Sequence, residues 1–196
     1  MFSLEGIDHG LLYGLNQGRQ AWLSNLMIGL GQLSGNTSIA ILTCALSLFC
    51  LIQRQFRIRG VIYPLAVVSG MAAVEGIKRF VERDRPNIVP WLVPEANVHG
   101  FSFPSGHATT NTLFGILLIG LFLRMNLSLT VRVALAFLTA VWVISIGFNR
   151  IYLGVHWPTD VLGGWCLGSL IGLAWLRLIS LIEKPNQTPT HSSLPT

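Results

Sequence analysis

Charged side chains are scarce in this chain of 196 residues, because Asp, Glu, Lys and Arg make up only 11% of it. A soluble globular domain carries about 25% of these residues. Hydrophobic residues instead make up 52%, and the length suits one domain. This composition is typical of a membrane protein, whose apolar surface faces lipid as well as a core.

Motifs for metals, redox chemistry and nucleotides are also missing. The three cysteines, Cys44, Cys50 and Cys166, lie in apolar stretches without CxxC or metal-ligand spacing, which indicates packing residues. No G-x-x-x-x-G-K-S/T loop occurs, so nucleotide hydrolysis of the P-loop kind is not predicted. The net charge of +5 is spread over single residues and short groups, and nucleic-acid binding is therefore not expected.

The N-terminal segment, residues 1–34, shows no cleavable signal pattern, since it has early acidic residues and no basic start. Apolar residues recur at helical spacing over 4–15, which predicts an amphipathic helix at the membrane interface. Residues 20–33 are apolar but short and rich in glycine, so they are predicted to form a second interfacial or re-entrant piece.

Five later apolar runs predict an all-α fold, a polytopic transmembrane helical bundle occupying residues 35–182. Six spans are the alternative count. The polar tail, residues 183–196, is rich in Pro, Thr and Ser and is predicted to be disordered on the cytoplasmic side. The five predicted spans cover about residues 37–53, 61–78, 107–123, 131–148 and 158–182.

Basic residues outside two particular loops gather on one side of the predicted membrane: Arg54, Arg57, Arg59, Arg124, Arg132, Arg177 and Lys184. The positive-inside rule makes that side cytoplasmic. The two loops on the other side, residues 79–106 and 149–157, hold or adjoin three stretches of unusual polar residues. Those stretches are therefore expected to meet at one outward face.

The first stretch contains Lys78 and Arg85, seven residues apart. If the helix continued two turns past Lys78, both cations would point from one stripe, and Pro86 would then end the helix. Snorkelling at the membrane edge is the simpler alternative for this stretch. Glu75, one turn earlier, is predicted to pair with Lys78 or Arg79.

The second stretch is Pro104-Ser105-Gly106-His107, directly before an apolar run. Ser105 can cap a helix, Gly106 lets an oxyanion approach the backbone, and free amides at a helix start attract anions. His107 would lie beside that anion and could give or take a proton. The alternative is an ordinary helix cap with an incidental histidine.

The third stretch joins Arg150, a planar donor suited to phosphate, to His156 and Asp160 at a helix start marked by Pro158. A carboxylate bonded to one imidazole nitrogen leaves the other free as a nucleophile or base. A purely structural His-Asp bond is the alternative. Taken together, three cations, two histidines and one carboxylate predict a phosphoryl-transfer site. The cations would repel a divalent ion, so no metal is predicted.

These residues resemble the signature of the type 2 phosphatidic acid phosphatase and vanadium haloperoxidase superfamily. The signature has a lysine separated from Arg-Pro by six residues, then Pro-Ser-Gly-His, then Ser-Arg followed after five residues by His and after three more by Asp. The resemblance extends over about residues 60–175. The matching residues are Lys78 with Arg85-Pro86, Pro104-Ser105-Gly106-His107, and Arg150 with His156 and Asp160.

The resemblance implies that His156 attacks phosphorus to give a phosphohistidine, that Asp160 orients it, and that His107 protonates the leaving group and then activates water. It implies that the phosphoryl oxygens are held by Lys78, Arg85, Ser105, Gly106 and Arg150. It also implies a phosphatase with no metal or other cofactor.

One position departs from the resembled pattern, because Asn149 stands where the family has serine. The Asn149 amide can donate a hydrogen bond in place of the hydroxyl. Only a secondary phosphate contact is therefore expected to change.

A pocket at the outer ends of membrane helices favours a lipid phosphate, which would enter laterally. The resemblance allows undecaprenyl diphosphate, phosphatidylglycerophosphate, phosphatidic acid and lipid A phosphates, and a bacterial inner membrane with a periplasmic active site is expected. The alternatives are a lipid phosphotransferase, a non-catalytic scaffold or transporter, and a haloperoxidase, against which the five apolar runs count. The sequence leaves the oligomeric state open.

Overall fold

The computed structural model describes residues 4–17, 19–86 and 100–183. These residues form seven α-helices and one 3₁₀ turn, with no strand among them, which confirms the all-α prediction. The helices are α1 (Leu4–Asn16), α2 (Ala21–Leu33), α3 (Asn36–Ile52), α4 (Arg57–Val81), α5 (Gly106–Phe122), α6 (Leu129–Tyr152) and α7 (Pro158–Ile182), with the 3₁₀ turn at Arg54–Phe56.

Three helices in the described residues, α4, α6 and α7, are long and apolar enough to cross a membrane. α2 and α3, bent by 49° at the break between them, would make a fourth span together. α5 and α3 have 17 residues each, which corresponds to about 26 Å of helix against a hydrocarbon core of about 30 Å. The chain is thus an integral membrane protein with three or four candidate spans, and the count of five stays a prediction.

α5 lies at the centre of the bundle and contacts α3, α4, α6 and α7. Its closest neighbour is α7, where Gly164 and Gly168 remove the side chains that would hold the helices apart. A Cβ at Gly168 would lie 2.4 Å from the Thr109 carbonyl oxygen, and one at Gly164 would lie 2.8 Å from that of Ser105. This close approach brings the start of α5 against the start of α7.

The apolar core lies between α3, α4, α5 and α7, around the buried side chains of Ile39, Tyr63, Leu113, Leu117 and Ile179. The outer side of α6 is apolar as well, with Leu129, Val133, Phe137 and Ile144 all exposed. Large apolar side chains on the outside are what a lipid-facing helix requires.

The predicted N-terminal helix forms as α1, with Ile7, Leu11 and Tyr13 exposed and Leu12 buried. It contacts α6 and α7 rather than standing apart from the bundle. At the other end of the chain, Glu183 follows α7 and pairs with Arg59 at 2.8 Å. The rest of the predicted disordered tail, residues 184–196, lies outside the described residues.

The expectation that α4 continues past Lys78 for two more turns is wrong. α4 ends at Val81, where Glu82 takes a left-handed conformation (φ 50°) and its N–H bonds to the Lys78 carbonyl. The next residues are not helical, because Arg83 and Arg85 are each held by partners far along the chain. Lys78 and Arg85 therefore reach the same place from a helix and from a loop, and not from one stripe.

Candidate active site

A cavity of about 200 Å³ lies where α4, α5 and the end of α6 meet the turn before α7. Six of the eight residues predicted for the site line it: Lys78, Arg85, Gly106, His107, Arg150 and His156. The other two, Ser105 and Asp160, are fully buried behind its wall. Three stretches that are separate in sequence therefore meet at one place.

The start of α5 forms part of the wall. Ser105 is the N-cap, and its hydroxyl oxygen accepts a 3.4 Å hydrogen bond from the Ala108 N–H. The cap uses an acceptor position of this hydroxyl and leaves its proton available. Ser105 does not line the cavity, and its role as a phosphate ligand stays a prediction. Gly106 does line the cavity, so the positive end of the helix faces the space.

His156 and Asp160 are both buried, and the histidine Nδ1 lies 3.4 Å from Asp160 Oδ2. The same oxygen accepts from the Trp157 N–H at 2.9 Å, which fixes the carboxylate at the start of α7. With Nδ1 directed at this carboxylate, Nε2 is the nitrogen left for the cavity. It lies 3.3 Å from Arg85 Nη1.

Burial lowers the pKa of His156 to about 4. The hydrogen bond to Asp160 opposes this shift, whereas the positive charge of Arg85 adds to it. The His156 imidazole is consequently neutral at pH 7, with a lone pair on the nitrogen that faces the cavity. That is the protonation state which a nucleophile needs.

Three main-chain carbonyls hold Arg85 in place. Its nitrogens donate to Gly100 at 3.0 Å, to Val155 at 2.8 Å and to Phe101 at 3.2 Å. Burial lowers the pKa of the Arg85 guanidinium, and the charge of Asp160 opposes that shift. The neutral carbonyls orient the cation without cancelling its charge.

The cavity cations have no carboxylate partner among the described residues, since no ion pair there involves Lys78, Arg85 or Arg150. Arg150 Nη1 lies 3.4 Å from His107 Nε2. Glu75 also lines the cavity, but its carboxylate pairs with Arg79 at 2.9 Å and not with Lys78. Both members of that pair are exposed, so little stability comes from it.

Asn149 does not line the cavity. The structure therefore does not show the secondary phosphate contact that was expected from its amide. Its Oδ1 accepts from Arg150 Nε at 2.9 Å and from Arg150 Nη2, while its Nδ2 donates to the Met27 carbonyl of α2. A Cβ at Gly31 of α2 would lie 2.1 Å from Arg150 Nη2. Asn149 thus orients the guanidinium, and the glycine makes room for it.

Two further residues at the site were not expected from the sequence. Arg83 donates to Asp160 Oδ1 at 2.7 Å and to Asp8 Oδ2 at 2.6 Å. Arg83 lies within the basic first stretch, which was a usable signal. Asp8 lies 75 residues before its partner Arg83, and no local pattern marks it.

No group of three or more His, Cys, Asp or Glu side chains in the described part of the chain lies together as metal ligands would. The metal-free mechanism stays a prediction.

Comparison with known proteins gives concordant matches. The sequence model of the PAP2 superfamily matches residues 59–183. Phosphatidylglycerophosphatase B of Bacillus subtilis (strain 168) is 33% identical over 155 residues, which is 78% of this chain and 73% of that protein. An undecaprenyl-diphosphatase of Sulfolobus acidocaldarius is 31% identical over 178 residues, or 90% of this chain and 78% of that protein.

The fold also has a counterpart among solved structures. The crystal structure of a transmembrane PAP2-type phosphatidylglycerolphosphate phosphatase from Bacillus subtilis gives a TM-score of 0.83 at 24% identity, covering 95% of this chain and 90% of that one. The superfamily match contains all eight predicted site residues, whereas α1 and α2 precede it.

Proposed function

The chain belongs to the PAP2 superfamily, and from that premise we propose that it is an integral-membrane phosphatase that hydrolyses a phosphomonoester or diphosphate on a membrane lipid through a phosphohistidine. The observation that carries the proposal is the cavity itself. Three cations that have no carboxylate partner within residues 4–17, 19–86 and 100–183 surround it, and a neutral histidine backed by a carboxylate faces it.

The charge of the cavity suits a phosphoryl group. A phosphate monoester carries about −1.5 to −2 at neutral pH, and Lys78, Arg85 and Arg150 supply positive charge on three sides. Two of these are guanidinium groups, which can donate two parallel hydrogen bonds to phosphate oxygens. The start of α5 at Gly106 adds main-chain N–H groups.

The size of the cavity restricts what enters it. About 200 Å³ is smaller than the roughly 300–1,000 Å³ of pockets that enclose drug-sized ligands. The phosphoryl group fits, and the rest of the substrate stays outside. Because the surrounding helices are apolar on their outer faces, the hydrocarbon chains of that remainder lie in the bilayer.

In the first step, the lone pair of His156 Nε2 attacks phosphorus while the bond to the leaving oxygen breaks, and His107, which is protonated once the phosphoryl group is bound, gives that oxygen its proton and becomes neutral. The positive charge that develops on the His156 ring is stabilised by Asp160 at its other nitrogen. In the second step, His107 takes a proton from water, the hydroxide attacks phosphorus, and the P–N bond breaks. Orthophosphate leaves, and both histidines regain their starting states.

Two relatives indicate which lipids to test first, because by their names they act on phosphatidylglycerophosphate and undecaprenyl diphosphate. Phosphatidic acid is the third candidate. Six arginines lie towards the helix ends opposite the cavity, which supports a site on the outer face of a bacterial inner membrane. They are Arg54, Arg57, Arg59, Arg124, Arg132 and Arg177.

The test is orthophosphate release by the detergent-purified protein from these three lipids, with a chelator present. His156→Ala should abolish release, and Arg79→Gln, which removes a nearby exposed cation, should not. Loss of wild-type activity in chelator would overturn the metal-free mechanism. Transfer of the phosphoryl group to an added alcohol in place of water would identify a transferase, and no turnover of any lipid would overturn the proposal.

A further inference from the structure

The N-terminal helix α1 precedes the superfamily match, yet its buried acid reaches the catalytic residues. Asp8 is 1% exposed. Its Oδ2 accepts from Arg83 Nη2 at 2.6 Å, and its Oδ1 accepts from the main-chain N–H of Thr159 at 3.0 Å. A carboxylate with this little exposure and this many partners is held in one orientation.

Arg83 connects Asp8 to the catalytic pair. Its Nη1 donates to Asp160 Oδ1 at 2.7 Å and to Thr159 Oγ1 at 2.7 Å, and the Thr159 hydroxyl donates onward to Asp8 Oδ2 at 2.5 Å. The guanidinium therefore lies between two carboxylates, each on a different nitrogen. A planar group with fixed donor directions can orient both at once.

The first turn of α7 is consequently held from outside the helix. Thr159 and Asp160 are the second and third residues of α7, which begins at Pro158. Asp8 accepts from the Thr159 N–H, the first N–H of the helix because proline has none. Asp160 uses one oxygen for His156 and Trp157 and the other for Arg83. The orientation of its carboxylate thus depends on where Arg83 lies.

Charge adds to this effect. Asp8, Arg83 and Asp160 together carry a net −1 in a buried place beside His156. When His156 attacks phosphorus, its ring becomes positive. The net negative charge of Asp8, Arg83 and Asp160 stabilises that positive charge. Without Asp8, the charge of Asp160 would be cancelled by Arg83 alone.

We propose that Asp8, acting through Arg83, is a positioning residue for the His156–Asp160 pair, so that α1 is a working part of the active site. This inference rests on the proposed function for its kinetic readout. The competing explanation is that Asp8 only caps α7 and contributes to folding.

Asp8→Asn is the most informative variant. Both oxygens of Asp8 accept hydrogen bonds from donors, so the amide nitrogen of asparagine would face a donor in either orientation. We expect kcat for lipid dephosphorylation to fall about 10- to 100-fold, the range found for supporting residues of comparable placement. KM should stay within about twofold, since the cavity lining is unchanged.

A double-mutant cycle separates positioning from folding. If Asp8 acts through Asp160, then Asp8→Asn in an Asp160→Asn background should lower kcat by less than about twofold. Independent losses that multiply would overturn the proposal. Arg79→Gln is the matched control, because Arg79 lies four residues before Arg83 but is exposed and pairs only with exposed Glu75.

A second readout does not need turnover. In the proton NMR spectrum of the detergent-solubilised protein, the proton on His156 Nδ1 reports its bond to Asp160 and is identified by its absence in His156→Ala. Its resonance should shift in Asp8→Asn and in Arg83→Lys, since a point charge cannot bind both carboxylates as a planar fork does. It should not shift in Arg79→Gln.

The two readouts keep the two proposals apart. If the wild-type protein turned over no lipid, the proposed function would fail, and the Nδ1 resonance would still decide the role of Asp8. An unchanged resonance in Asp8→Asn and Arg83→Lys would overturn the positioning role. Should Asp8→Asn not fold, Arg83→Lys carries the same kinetic and spectroscopic expectations.

Discussion

Cations lie near both ends of α4, and their surroundings are opposite in kind. Arg59, at the start of the helix, donates to both oxygens of Glu183 at 2.8 Å, to the Gly120 carbonyl at 3.0 Å and to the Tyr63 hydroxyl at 3.3 Å. About 28 Å away along the helix axis, Lys78 faces a cavity together with Arg85 and Arg150, and none of these three has a carboxylate partner in the described residues.

The difference shows which group of charges is structural and which awaits a ligand. An ion in a low-dielectric place is costly unless it is paired and hydrogen-bonded. Arg59 meets that condition within the protein and joins α4 to α5 and to the residue after α7. The cavity cations have no carboxylate partner among the described residues, and under the proposed function an entering phosphoryl group supplies the missing negative charge.

The largest effect is expected on stability, when the ion pair between Arg59 and Glu183 is removed. Arg59→Met leaves the 17%-exposed Glu183 side chain without its cation, and losing one partner of a buried pair costs about 3–5 kcal/mol. We expect a lower free energy of unfolding in detergent, with kcat per folded molecule unchanged. Arg57→Gln, which alters an exposed neighbour, should leave stability within about 0.5 kcal/mol. If Arg59→Met were as stable as the wild type, the bonds of Arg59 would not contribute to the stability of the fold.

Removing a cation at the cavity should instead lower the rate of turnover. Arg150→Ala removes a cation that faces the cavity, and losing one such stabilising group lowers kcat about 10²- to 10³-fold. Stability should fall little or rise, because an uncompensated buried charge is removed. Kinetics on the best lipid substrate, beside thermal unfolding, check both expectations. A large loss of stability with kcat preserved would reverse the comparison.

A smaller effect is expected at Asn149, which orients the Arg150 guanidinium. Serine cannot accept from two nitrogens of Arg150 and also reach the Met27 carbonyl. Asn149→Ser should therefore reduce kcat/KM about 10-fold, consistent with about 1.5–3 kcal/mol for a hydrogen bond to a charged group. Asn149→Asp keeps the oxygen that accepts both bonds from the guanidinium and gives up only the donor to the Met27 carbonyl, so it should lose less kcat/KM. Equal activity in all three proteins would refute the orienting role.

The smallest expected effect concerns the protonation state of His156, which should not change between pH 7 and about pH 5. Because burial lowers the pKa of His156 to about 4, its imidazole should stay neutral from pH 7 to about pH 5, where a free histidine with pKa about 6.5 is mostly protonated. The unfolded chain takes up this proton first, so His156 should reduce stability as the pH falls below about 6.5. ¹⁵N-histidine NMR, with His156→Ala for assignment, measures the midpoint. A midpoint near 6.5 would contradict the burial argument.

Local signals in the sequence located most helices well. The run predicted at 158–182 is the observed α7, and that predicted at 107–123 differs by one residue at each end from α5. Ser105 marks the start of α5 because its hydroxyl caps the helix, and Pro158 marks the start of α7 because proline suits the first helical position. Both signals depend only on residues close by in the sequence. The end of α4 at Val81 was missed, because Arg83 and Arg85 leave helical geometry for partners 77 and 70 residues away.

For the site, the sequence alone determined which side chains to expect together at one cavity, because residue types at set spacings around helix starts are local information. Only the tertiary structure decided that Ser105 lies behind the cavity wall, that Asn149 holds Arg150 and does not line the cavity, and that Asp8 reaches Asp160 through Arg83. These outcomes depend on how closely α1, α2, α5 and α7 approach. Packing between distant segments sets those distances, and no short stretch of sequence encodes them.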